Sequence, residues 1–226
     1  MTNASKKIWF YGDSWPAGAE LDQISKFPYP HFPNLIEKKT GIKTLNRSIP
    51  GSGQARILHQ LLNSDIQPND IAVFSLTVKT RRTYLTKDNK FNEMQFNGDE
   101  TIVNHYEDHM NSATTVALLY YMCRQRSVTP YFLNLFDSNW LPNTMFNEVP
   151  DLCWIIPPSE SVVSMLFDYD FFHRYDHHHE GDFQDWLDTK NEKVKKYIRP
   201  CIAHPNLLGH EIIADYIIKK LNLQMT

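Results

Sequence analysis

Apolar residues in this chain fall into short runs separated by polar breaks, and the runs alternate between two kinds of spacing. Ile8–Tyr11 is an unbroken apolar run that stops at Gly12-Asp13-Ser14, the pattern of a buried strand ending in a tight turn. The glycine is expected to let the backbone turn sharply beside the serine. Phe32–Lys39 places Phe32, Leu35 and Ile36 on one helical face, and Gly41 follows as a helix stop. Ile42–Asn46 predicts a short second strand. Ser48–Gly53 is rich in turn formers, and Gln54–Leu62 predicts a helix with Ile57, Leu58, Leu61 and Leu62 as its apolar positions. A polar break containing a proline, Gln67–Asp70, precedes the strand-like run Ile71–Leu76.

Arg81–Asp99 is polar and aperiodic and predicts a loop or small excursion. Asn104–Arg126 is the longest helical pattern; Asn104 with Glu107 resembles a capping box. Tyr106, Met110, Ala113, Ala117, Tyr120 and Tyr121 keep near-helical spacing along it. Pro130 precedes a strand at Tyr131–Leu135. This βαβαβ-αβ order predicts a parallel sheet with helices on both faces. Asp137–Lys190 breaks the rhythm with Trp140, Trp154, Trp186, the pair Pro157-Pro158 and the run His177–His179. It is expected to be a partly helical insertion near the mouth of the sheet. Asn191–Tyr197 is expected to be helical. Leu207–Leu221 predicts a final amphipathic helix with Leu208, Ile212, Ile213, Tyr216, Ile217 and Leu221 inward. There is no internal repeat and no low-complexity linker.

A length of 226 residues supports one sizeable core, so residues 1–226 are expected to form a single domain with an insertion at about 137–190. A hydrophobic content of 42% with 13% aromatics is that of a folded globular protein rather than a disordered one. A net charge of −3 gives no electrostatic case for nucleic acid or an anionic membrane as the main partner. No apolar run approaches the ~20 residues needed to span a bilayer. The segment MTNASKKIWF has lysines but no apolar stretch of secretory length, so a cytoplasmic location is expected. Cys123, Cys153 and Cys201 are odd in number and lack CxxC spacing, which fits reduced thiols rather than a disulfide framework.

Two stretches carry candidate chemistry. Ser14 follows the first strand, at the carboxyl end where open α/β sheets place their ligands. His204-Pro205-Asn206-Leu207-Leu208-Gly209-His210 leads into the last helix. A histidine just ahead of a helix N-terminus feels the positive end of the macrodipole, which disfavours the imidazolium and leaves a neutral base. A serine hydroxyl is a weak nucleophile that needs such a base within hydrogen-bond reach. Asp13 is expected to fix the turn through backbone hydrogen bonds rather than to act as the base.

Together these stretches resemble the SGNH (GDSL-like) hydrolase family, in four blocks that span most of the chain. The first is Gly12-Asp13-Ser14, with Ser14 as the implied nucleophile. The second, Asn46-Arg47-Ser48-Ile49-Pro50-Gly51, resembles the family's Asn-to-Gly loop and puts Gly51 at the oxyanion-hole glycine. In the third, Ser75-Leu76-Thr77-Val78 stands where the family has Gly-x-Asn-Asp, so Thr77 falls at the position of the third oxyanion donor. In the fourth, Cys201-Ile202-Ala203-His204 keeps the histidine, while Cys201 replaces the family's aspartate. The third block followed by Arg81 is similar to phage-type members of the family.

The resemblance implies a three-layer α/β/α, flavodoxin-like domain with a central parallel sheet of about five strands. It implies a serine esterase or acyl hydrolase: Ser14 as nucleophile, His204 as base, and Ser14, Gly51 and Thr77 around the oxyanion. It implies neither metal nor organic cofactor, and a small-molecule, carbohydrate or lipid ester as substrate. The replacements at Ser75, Thr77 and Cys201 motivate an alternative: a catalytically degenerate member that binds a partner or serves in an assembly such as a phage particle, with virion association in place of a free cytoplasmic protein.

Other features have weaker claims. Arg81 and Arg82 suit a carboxylate or phosphate on a substrate, or form a surface pair. Asp182, Asp185 and Asp188 are candidates for orienting His204, with no spacing that selects one. Asp170, His173, Asp176 and His177–His179 match no standard metal-ligand pattern and fit a solvated loop better. Trp140, Trp154, Phe171 and Phe172 either wall a substrate pocket or pack in the core.

Overall fold

Ile8–Tyr11 forms β1, buried along its whole length as an interior strand of the sheet. The computed structural model describes residues 6–18, 30–77, 81–85, 91–95, 105–135, 149–157, 160–166, 204–205 and 207–226. In chain order, β1 is followed by the single turn α1 (Ser14–Ala17), α2 (Phe32–Thr40), β2 (Thr44–Asn46), α3 (Gln54–Leu62) and β3 (Ile71–Leu76). Next come β4 (Arg81–Leu85), β5 (Phe91–Gln95), α4 (His105–Gln125), β6 (Thr129–Asn134), β7 (Trp154–Ile156), α5 (Val162–Leu166) and α6 (Leu207–Lys220). The segment Asn191–Tyr197 lies outside the described residues, as does most of Asp137–Lys190.

The central sheet has five strands in the order β2-β1-β3-β6-β7, all parallel. The chain steps from β1 outward to β2 and then crosses to β3 on the other side. The carboxyl end of β1 is therefore the point where the strand order reverses, the place such sheets bind ligands. Strand alternation sends Ile8, Phe10, Ile71, Val73 and Leu133 to one face, where they pack with Phe32, Leu35 and Ile36 of α2 and Ile213 and Ile217 of α6. Trp9, Tyr11, Ala72, Phe74 and Phe132 point the other way, against Ile57 and Leu61 of α3 and Val116, Leu119 and Cys123 of α4. The result is a three-layer α/β/α fold.

Several elements depart from the sequence expectation. Trp154–Ile156 supplies the fifth strand from inside the segment expected to be an insertion; three residues are too few to show a period. Trp154 packs on Phe132 with ring centroids 5.3 Å apart, so it belongs to the core and not to a pocket wall. Arg81–Asp99 contains an antiparallel hairpin, β4 with β5, whose strands pair with each other and not with the central sheet. Such a pair needs no apolar run, and its sequence has none. On α4 the buried line is Ala113, Val116, Leu119 and Cys123, while Met110 and Tyr121 are exposed. On α6 the buried line is His210, Ile213, Ala214, Ile217 and Ile218, with Leu208, Ile212, Tyr216 and Leu221 at its margins. Burial pushes the Cys123 thiol up to about 12, so it is an inert core group, and it and Cys153 form no disulfide.

Candidate active site

Ser14 is the first residue of α1, directly beyond β1. Gly12 is needed here for close packing rather than for an unusual backbone angle. A Cβ on it would lie 2.7 Å from Pro16 Cγ and 2.8 Å from Ser75 Cβ, and its φ is not positive. The α1 turn thus folds back directly onto β3. Asp13 caps it, with Oδ1 accepting the Trp15 N–H at 3.1 Å. Gly18 ends it with φ +70.

The loop after β2 is pinned to the same corner. Arg47 N–H donates to Phe10 O at 2.8 Å and Ile49 N–H to Gly12 O at 3.1 Å. Asn46 Nδ2 donates to Pro16 O at 2.6 Å, and its Oδ1 accepts the Ser48 N–H at 3.1 Å. Ile49-Pro50-Gly51-Ser52 is then a tight turn: Ser52 N–H donates to Ile49 O at 3.1 Å, proline sits second and Gly51 third with φ +82. These are the features of a type II turn, whose third position requires a positive φ. A Cβ on Gly51 would meet nothing within 4 Å. Among the described residues neither the Ser14 N–H nor the Gly51 N–H makes a hydrogen bond, so both remain available as donors.

His204 reaches this corner from the far end of the chain. Its Nε2 lies 2.8 Å from Ser14 Oγ across a separation of 190 residues. His210, in the first turn of α6, is buried, and its Nδ1 accepts the Phe32 N–H at 3.3 Å. Burial above all, then the nearby His31 and His204, pushes its pKa from 6.5 down to about 3, so it is a neutral imidazole. The sequence marks His210 only as the last residue of the HPNLLGH stretch. Its signal was positional: it shares a helical face with Ile213, Ala214 and Ile217.

Thr77 has a partner other than a substrate oxygen. It is buried, and its hydroxyl donates to Asp13 Oδ2 at 3.0 Å, while its carbonyl accepts from Gln54 Nε2 at 3.4 Å. The hydroxyl hydrogen at the expected third donor position is thus held by the carboxylate beneath the turn. Arg81 opens β4 and pairs with Gln95. Cys201, Asp182, Asp185, Asp188 and the cluster Asp170, His173, Asp176 and His177–His179 lie outside the described residues, as do Trp140, Phe171 and Phe172. Among the described residues no group of three His, Cys, Asp or Glu side chains could hold a metal ion, and no helix is long and apolar enough to cross a membrane.

Comparison with known proteins places the fold. No protein-family model matches the chain, and no curated protein matches it by sequence. Solved structures do match over nearly the full length. A protein from Desulfitobacterium hafniense DCB-2 assigned to the G-D-S-L lipolytic family is 10% identical, with TM-score 0.55 over 96% of this chain and 99% of that one. TesA is 14% identical, with TM-score 0.55 over 96% and 98%. A point mutant of Axe2, an acetyl-xylooligosaccharide esterase from Geobacillus stearothermophilus, is 13% identical, with TM-score 0.53 over 99% and 98%. The chain shares the three-layer fold of these proteins, esterases among them.

Proposed function

We propose that this chain is a serine ester hydrolase in which Ser14 is the nucleophile and His204 the general base. The observation that carries the reading is the 2.8 Å approach of His204 Nε2 to Ser14 Oγ at the switch point of the sheet. With its proton on Nδ1, His204 accepts the hydroxyl hydrogen as Oγ attacks the ester carbonyl carbon. The Ser14 and Gly51 amides receive the oxyanion, and Gly51 brings no side chain into the space the substrate enters. His204 then returns the proton to the departing alcohol oxygen. A water, deprotonated by His204, resolves the acyl-enzyme to acid and free serine.

Thr77 belongs to this centre through Asp13, which it holds from below. It would join the amides as a third donor only by exchanging Asp13 for the substrate oxygen. Arg81 follows the third block in sequence, on a strand that runs beside α3, the helix entered from the Gly51 loop. It is proposed as a contact for an anionic group on the substrate. The combination of Thr77 with Arg81 is the feature similar to phage-type members of the SGNH group. The substrate class is a small acyl ester, and the acetyl-xylooligosaccharide esterase among the structural neighbours favours an acyl group on a carbohydrate as the first to try.

Hydrolysis of p-nitrophenyl acetate tests the reading. Activity in the wild type that is lost in both Ser14→Ala and His204→Ala, with unchanged thermal unfolding, supports it. A folded wild type with no turnover of any acyl ester contradicts it and favours the binding or assembly role.

A further inference from the structure

Ser14 and His204 come from opposite ends of the chain, so their 2.8 Å approach depends on what joins α1 to the start of α6. The described residues trace such a path. The α1 turn ends at Gly18, where a Cβ would come within 2.8 Å of His31 Cδ2 and 2.9 Å of His31 Cβ. His31 is the N-cap residue of α2 but gives it no side-chain cap. The first N–H of that helix, from Phe32, goes instead to His210 Nδ1 at 3.3 Å, and the two rings stack at 5.7 Å and 27°. His210 stands in the first turn of α6, which the chain enters through His204 and Pro205.

We propose that His210 is a positioning residue for the Ser14–His204 pair: by capping α2 from α6 and stacking on Phe32, it holds the His204 segment against the corner that carries Ser14. The proposal rests on the reading of Ser14 and His204 as the reacting pair. The chemistry suits the task. The position needs an acceptor for a helix N-terminal N–H, and a neutral imidazole with its hydrogen on Nε2 supplies one. The charged form would be a donor at both nitrogens and would face the positive ends of two helices. Its burial and its low pKa of about 3 keep it neutral. Farther along, α2 and α6 are joined independently by Leu35, Ile36, Ile213 and Ile217 in one apolar cluster and by the Lys39–Asp215 ion pair. Loss of His210 therefore loosens the end of the pair nearest His204 and leaves the rest in place.

The test compares wild type, His210→Leu and His210→Asn by p-nitrophenyl acetate kinetics, by the rate of fluorophosphonate labelling at Ser14, and by thermal unfolding. A misplacement on the ångström scale costs on the order of 10²-fold in rate. His210→Leu is expected to lose kcat and labelling rate to that extent with KM little changed. His210→Asn, whose Oδ1 can take the Phe32 N–H, is expected to recover most of both. Where the leucine variant fails to fold, His210→Gln, whose acceptor sits one methylene farther from the helix backbone, replaces it in the same comparison with His210→Asn. Unchanged kcat and labelling in a folded His210→Leu, or a His210→Asn no faster than His210→Leu, overturns the positioning role. A wild type inert to both reagents fails differently, since it removes the Ser14–His204 reading itself and this proposal with it.

Discussion

The Thr77 hydroxyl donates to Asp13 Oδ2 at 3.0 Å, while Asp13 Oδ1 accepts the Trp15 N–H at 3.1 Å. Both side chains are buried. The carboxylate immediately before Ser14 is therefore held at both oxygens, one by the α1 turn and the other by the end of β3. The threonine at the expected third oxyanion-donor position is thus hydrogen-bonded to the carboxylate that caps the Ser14 turn, which ties that turn to the end of β3.

Thr77→Val removes that donor and leaves a buried carboxylate oxygen short of a partner. Stability is expected to fall by about 1–3 kcal/mol, with Thr77→Ser close to wild type. Chemical denaturation measures this directly. A Thr77→Val variant that keeps wild-type stability and loses only kcat would instead put the hydroxyl on the substrate oxygen.

His210 makes stability depend on pH in a definite direction. Its folded pKa of about 3 lies below its ordinary 6.5. Below pH 6.5 the unfolded chain takes up a proton that the folded chain refuses, so this residue's contribution falls as pH drops from 6.5 toward 3 and is constant above 6.5. The expected slope approaches ~1.4 kcal/mol per pH unit. Urea unfolding of wild type and His210→Asn at pH 7.5, 6 and 5 isolates it, since other groups cancel in the difference. The gap should shift in favour of the asparagine variant as pH falls, and parallel curves would contradict the assignment.

Asp70 does for the amino ends of the strands what Asp13 does for the carboxyl ends. It is buried, and its oxygens accept Lys7 N–H at 2.9 Å, Trp9 Nε1–H at 2.8 Å and Gln67 N–H at 3.1 Å. Asp70→Ala is expected to cost about 3 kcal/mol, because it leaves three donors without their acceptor. Reactivity at Ser14, at the other end of the sheet, is expected to persist in the folded fraction. Denaturation midpoints and labelling of Ser14 in the same samples separate the two effects.

Gly12 and Gly51 are required for different reasons, and alanine should distinguish them. At Gly12 the added carbon meets a proline ring atom and a Cβ at 2.7 and 2.8 Å, neither of which can swing aside. Gly12→Ala is expected to cost about 2 kcal/mol and to displace Ser14, lowering reactivity sharply. At Gly51 the space is open, and the cost is the strain of φ +82, about 1 kcal/mol. Equal effects of the two substitutions on Ser14 labelling would refute this distinction.

The elements that build the site were legible because each carries a strong local signal. Ile8–Tyr11, Gln54–Leu62 and Ile71–Leu76 are apolar runs or faces bounded by turn residues, and they form as the pattern predicts. The Pro50-Gly51 pair specifies its turn by φ alone. What was not legible depends on tertiary contacts. Trp154–Ile156 becomes a strand only because β6 offers an edge. The hairpin of β4 and β5 is stabilised by pairing between two polar segments. The need for glycine at position 12 comes from the Pro16 ring and from Ser75, the latter sixty-three positions away in sequence, and not from its own backbone angle. The partners of Thr77 and His210 follow the same rule: Asp13 and Phe32 are distant in sequence, so no local window contains both members of either pair.

Activation of the Ser14 hydroxyl by His204 is open to a direct test by covalent labelling. Wild type, Ser14→Ala and His204→Ala, each verified as folded, are treated with a fluorophosphonate and examined by intact and peptide mass spectrometry. One adduct per wild-type chain is expected, located on Ser14, absent in Ser14→Ala and formed orders of magnitude more slowly in His204→Ala. A folded wild type that takes no label, or one labelled as fast without His204 as with it, would contradict that activation.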